Sequence, residues 1–199
     1  MLAHAPASYA LLAPPADPAE IEAAQAEMGL RFPADLVESL ACHDGLTEWA
    51  NLLPDQPPQS IADILDHWRM RVEAAGDDSD FCEPDEESGE PWWHPQWIPW
   101  AQSHNTAQVI DMRDGPRQGR LGTAATNDTG HFAAGWPSLA SYLTAVADAL
   151  DHGGEVDGDV PYLTPQRELW WSCLGEAELN GEPLTPAPRA QPQVTAPRA

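Results

Sequence analysis

Apolar residues recur along this chain in two rhythms, one helical and one extended, with capping and turn residues between them. Ile21, Ala24, Gln25 and Met28 fall at i, i+3, i+4 and i+7, a modest helical stripe. Asp17 suits its cap, Pro18 its first position and Gly29 its end, and Glu20 completes a capping box. A second helix opens at Pro33, carries Leu36, Val37, Leu40 and Ala41 on one face, and stops at Asp44-Gly45. A third follows the capping pair Ser60 and Asp63, holds Ile61, Ile64, Leu65, Trp68 and Val72 at helical spacing, and stops at Gly76. The last long one opens at Pro137-Ser138, aligns Leu139, Tyr142, Leu143, Val146 and Leu150, and ends at Gly153-Gly154.

Between the third and fourth helices the period shortens. Trp92, Trp93, Trp97 and Trp100 put four tryptophans within nine residues, too much apolar surface to leave in water. The segments 92–101, 107–112, 120–126 and 131–134 are short, rich in β-formers and bounded by turn residues, so they predict strands. Alternation places Ile98 and Trp100 on one face, Trp97 and Pro99 on the other. The Asp-Gly and Gly-Pro steps of 113–119 suit a long hairpin loop. A short strand is expected at 51–53 and a short last helix through Leu169, Trp170 and Cys173. Helices first, then strands, then a helix predict an α+β fold, an antiparallel twisted sheet flanked by amphipathic helices. The expected organisation is a flexible segment over 1–16, a domain over 17–152 with an acidic loop at 77–90, a linker and short helix over 153–174, and a disordered tail over 175–199.

Charge narrows the list of partners. All nine cationic residues are arginine against 32 acids, a net charge of −23. Nucleic acid and anionic membrane surfaces would be repelled. A basic protein would be attracted, with fast and salt-sensitive association, although acidity can also serve solubility alone. No cation occurs between Arg71 and Arg113, which isolates the acids of 77–90 in what is ordinarily a solvated loop. Cys42, Cys82 and Cys173 are odd in number and widely spaced, as in a reducing compartment. With no signal-peptide pattern and no apolar run near the roughly 18 residues of a membrane span, a cytoplasmic protein is expected.

Candidate chemistry is sparse. Cys42, His43 and Asp44 are neighbours in sequence, which on a helix points them about 100° apart rather than at one another. His94, His104 and His131 with Asp111 could be imagined as a metal set, but their spacing is not that of a ligand helix. No phosphate-binding loop, nucleophile elbow or zinc-protease signature occurs. No catalytic residue, metal or cofactor is expected. Trp92 and Trp93, beside the acidic run, are the tryptophans placed to act as exposed anchors.

The order of motifs resembles the SUKH superfamily, which includes the fungal cell-wall-assembly regulator and many bacterial immunity proteins. Ile21, Glu27, Gly29, Leu30, Phe32, Pro33, Leu36, Leu40, Asp44 and Gly45 fit its two-helix start. Trp97-Ile98-Pro99-Trp100-Ala101, Ala107-Gln108-Val109-Ile110-Asp111, Gly119-Arg120-Leu121-Gly122 and Ser138 to Leu143 fit its later steps in order. The match covers about 17–152, and His104-Asn105-Thr106-Ala107 departs from the family's usual turn. The resemblance implies a non-enzymatic binding fold. It suggests an antidote that holds a toxin domain, often a nuclease, by a sheet-side cleft and charged surface. The expected interface is Asp77, Asp78, Asp80, Glu83, Asp85, Glu86 and Glu87 with Trp92, Trp93 and Asp111, facing a basic toxin domain. The alternatives are a regulatory scaffold without a toxin partner and, less well supported, a metal-dependent hydrolase.

Overall fold

Three of the helix starts are written in single side chains, and the structure uses all three. In this computed structural model, which describes residues 3–54, 56–76, 84, 89–133 and 135–189, the Asp17 carboxylate accepts the Ala19 N–H at 2.9 Å. The Ser60 hydroxyl accepts the Asp63 N–H at 3.1 Å. Ser138 and Ser141 close a reciprocal capping box. The long helices follow: α2 (Pro18–Met28), α3 (Ala34–Cys42), α4 (Ile61–Ala75) and α5 (Leu139–His152). The link between α3 and α4 is tight. Asp44 accepts the Ile61 N–H at 2.6 Å, and Gly45 has φ +70° with the Ser60 backbone where a Cβ would sit.

Between α4 and α5 runs an antiparallel meander, β1 (Trp97–Ser103), β2 (Thr106–Asp111), β3 (Leu121–Ala125) and β4 (Gly130–His131), in that spatial order. The register shifts between Pro99 and Ala101, leaving Trp100 as the extra residue of a bulge. Period-two alternation then sorts the side chains. Ile98, Ile110 and Leu121 enter a core shared with α2, α3, α5 and the first half of α4. Trp97, Ala107, Val109 and Ala124 enter a second one with Trp93, Phe132 and the end of α4. Glycines make room for the rings. A Cβ on Gly122 would strike the Phe132 ring, and one on Gly130 the Trp97 indole.

The two ends of the chain depart from the sequence expectation. Residues 3–16, expected to be loose, include a short helix, α1 (Pro6–Ala10), with Ala5 and Ser8 buried. The Ser8 hydroxyl accepts the Leu169 N–H at 2.7 Å, and Arg167 donates to the Ala3 carbonyl at 2.7 Å. Small side chains gave no periodicity but allow this close approach. The helix expected through Leu169 and Cys173 is instead a strand. β5 (Asp159–Leu163) pairs antiparallel with β6 (Leu169–Cys173) and with β9 (Thr185–Pro186), and β7 (Glu178–Leu179) pairs with β8 (Glu182–Pro183). Leu169 and Trp171 join the main core and Leu184 is buried, so parts of 153–189 pack on the domain, while 173–183 are largely exposed. The strand expected at 51–53 is absent; there the Asn51 amide bonds the Trp171 backbone at both N–H (3.0 Å) and carbonyl (3.2 Å). The last part of the expected tail, 190–199, lies outside the described residues.

Candidate partner-binding site

The second half of α4 carries polar side chains where the buried face requires a partner for each. His67 and Arg71 are 5% and 3% exposed. The His67 ring stacks on Trp93, centroids 6.1 Å apart, and accepts from Arg71 Nε at 3.3 Å. The Arg71 guanidinium also donates to the carbonyls of Ala125 (3.3 Å) and Ala124 (3.4 Å). It lies 4.9 Å from the Trp92 ring centroid and 5.5 Å from that of Trp93. No carboxylate among the described residues pairs with it. Burial lowers the Arg71 pKa, and burial together with the Arg71 charge pushes His67 down to about 4.

Trp93 is therefore no exposed anchor. It is fully buried, stacked on His67 and edge-on to Trp97 at 5.7 Å. Trp92 is half-buried; its indole N–H donates to the Thr126 carbonyl at 2.9 Å and its ring covers Arg71. Asp111 is 3% exposed, not a surface acid. It accepts from Arg113 Nε and Nη2 at 2.8 Å each and from Arg120 Nε at 3.1 Å. Glu90 completes the group, 2.7 Å from Arg113 and 2.8 Å from Arg120. Phe132 lies 4.1 Å under Arg120 and Trp97 5.4 Å under Arg113. Burial alone would raise the Asp111 pKa, but the Arg113 and Arg120 donors outweigh it and hold the carboxyl below its usual range. This largely buried clasp fixes the β2–β3 connection. Asp77, Asp78, Asp80, Glu83, Asp85, Glu86 and Glu87 lie outside the described residues.

The other sequence candidates are dispersed. The His43 ring bonds the Ala13 carbonyl at 2.9 Å, Asp44 caps α4, and Cys42 is exposed. His94 lies near Arg113, Asp111 and Glu90, and burial comes first in lowering its pKa. His104 sits in the β1–β2 turn beside Ser103, and His131 pairs with Asp128 at 3.1 Å. Among the described residues no group of His, Cys, Asp and Glu is arranged to hold a metal ion.

One open cleft, of about 530 Å³, lies beside β3 and β4 and is lined by Gln108, Thr123, His131, Trp136 and Asp157. The Asp157 carboxylate accepts the Trp136 indole N–H at 2.8 Å and holds that ring as a wall. Sequence reasoning missed Trp136; its signal was a tryptophan between Gly135 and Pro137, outside any amphipathic stripe. Three arginines, Arg71, Arg113 and Arg120, are turned to internal use, whereas Arg31, Arg69, Arg117, Arg167 and Arg189 are exposed. Arg69 pairs with Glu27 and Asp66, Arg71 is buried, Arg113 and Arg120 serve the clasp, and Arg167 holds the N-terminal carbonyls.

Residues 15–145 match the SMI1 / KNR4 family (SUKH-1). The chain belongs to this family. In this SUKH-1 domain the family-like motifs have physical roles: Asp44-Gly45 ties α3 to α4, and Arg120 pairs with Asp111 across the β2–β3 loop. Gly122 admits Phe132. SUKH-1 membership is consistent with a protein that works by protein–protein interaction, and the family is generally non-enzymatic. No curated protein gives a significant match. No described helix of the SUKH-1 chain is long and apolar enough to cross a membrane.

Proposed function

We propose that this SUKH-1 chain is a cytoplasmic antidote, which binds a basic bacterial toxin domain such as a nuclease and blocks it without making or breaking bonds itself. The observation that carries this reading is the charge: a net charge of −23, with Arg71, Arg113 and Arg120 drawn into internal contacts. Nuclease domains are basic where they hold phosphates. A dense carboxylate surface competes for that ground and accelerates encounter. We assign the contact to the acids Asp77, Asp78, Asp80, Glu83, Asp85, Glu86 and Glu87, with Trp92 beside them. Trp93 and Asp111 are buried and are not assigned to the contact.

The test is inhibition of a basic nuclease toxin encoded beside this chain's gene. Stoichiometric inhibition by purified protein is expected, weakening as salt rises. Replacing the seven acids by Asn or Gln should lower affinity by about tenfold or more, chiefly through slower association. Unchanged affinity would remove the run from the interface. Capture of several neutral or acidic cellular proteins in place of one basic toxin would favour a scaffold.

A further inference from the structure

Trp49 is 60% exposed, the most exposed aromatic side chain among the described residues. Its loop is not loose. The Thr47 N–H and hydroxyl both donate to the Leu11 carbonyl, at 2.9 and 3.2 Å. Asn51 clamps the Trp171 backbone, and the Trp171 indole N–H donates to the Leu52 carbonyl at 3.0 Å. An exposed indole on a pinned loop has already lost the freedom that binding would cost it. Trp170 meets it edge-on at 6.2 Å and limits its swing. Beside it runs a groove of about 590 Å³ that contains Glu48, Asp63 and Gln102 and no lysine or arginine. Glu48 makes no ion pair among the described residues.

We propose that Trp49, backed by Trp170 and flanked by Glu48 and Asp63, receives an arginine side chain of the protein partner. This rests on the antidote reading and names one contact within it. The charge of the groove decides the occupant: carboxylates with no internal cation attract a cation, and an open indole face favours a planar guanidinium, which stacks while its edge donates to carboxylate. The groove does not include Trp92.

The probe is the blocked peptide acetyl-Gly-Arg-Gly-amide, titrated into the full chain while indole N–H resonances are followed by NMR. The Trp49 and Trp170 signals, assigned from Trp49→Ala and Trp170→Phe variants, should shift saturably. The same peptide with citrulline for arginine should bind at least tenfold more weakly, and Glu48→Gln should weaken the arginine peptide several-fold. Equal binding of the citrulline peptide, or arginine-induced shifts that persist elsewhere unchanged in Trp49→Ala, would overturn the proposal. With a toxin partner in hand, Trp49→Ala should cost about 30-fold in affinity, as for a central binding tryptophan, with the melting temperature unchanged. Wild-type capture that Trp49→Ala leaves intact would refute this contact and spare the antidote reading; saturable peptide binding by a chain that captures no toxin would refute the reading and spare the contact.

Discussion

His67 shows how one side chain couples packing to pH. Its folded pKa of about 4 lies below the ordinary value of 6.5 because the ring is buried beside Arg71. The folded state therefore resists a proton that the unfolded chain accepts. The resulting stability is complete above pH 6.5 and drains away as pH falls toward 4. Between pH 7 and pH 5 the loss from this group is at most about 2 kcal/mol. His67→Gln keeps an acceptor for Arg71 but cannot titrate, so urea midpoints of that variant should fall less over this interval than those of the wild type. An equal fall would mean that His67 is not the sensor. Asp111 has the same sign lower on the scale: its depressed pKa gives stability that is present above the unfolded value and is lost as pH falls further. At this scale the sequence misled. Trp93 beside an acidic run reads as an anchor, and Asp111 at a strand end reads as a surface acid. His67 and Arg71 reach Trp93 from another element, polar residues at core positions of α4 are invisible to a pattern of apolar spacing, and the Arg113 and Arg120 clasp on Asp111 depends on how the β2–β3 loop folds back.

Elements were legible where one residue carries the signal. Asp17, Ser60 and Ser138 each mark a helix start and each accepts the expected backbone N–H. The meander was legible because tryptophans and β-formers alternate between turns. The C-terminal strands were not. Leu169-Trp170-Trp171-Ser172-Cys173 is too short to separate a helical from an extended period, and its pairing with Asp159–Leu163 is a tertiary fact. That pairing has a consequence for stability. Val156, Leu169 and Trp171 share the core of Ile98, Leu139 and Tyr142, and loss of a buried Leu or Trp typically costs about 2–5 kcal/mol each. A chain ending at His152 should therefore be insoluble or lose its cooperative melting transition, although it retains the family-matched residues 15–145. A soluble truncation with an unaltered melting curve would show residues 153–189 to be an appendage.

On the scale of the whole molecule, internal pairing and external charge are two sides of one allocation. Arginines close the core and the β2–β3 clasp, and the acids left outside set the field that a partner meets. Sequence alone supplied the charge, the class of fold and the family resemblance; it could not show that Arg71, Arg113 and Arg120 turn inward, because that depends on which carboxylates and carbonyls the fold brings to them. The most direct test is calorimetric titration of the full chain with a basic nuclease toxin domain, run at low and at several-fold higher salt. One-to-one binding that weakens markedly with salt, with loss of nuclease activity at equivalence, is the expected result. An absence of heat with such domains, or binding indifferent to salt that leaves the nuclease active, would contradict the account.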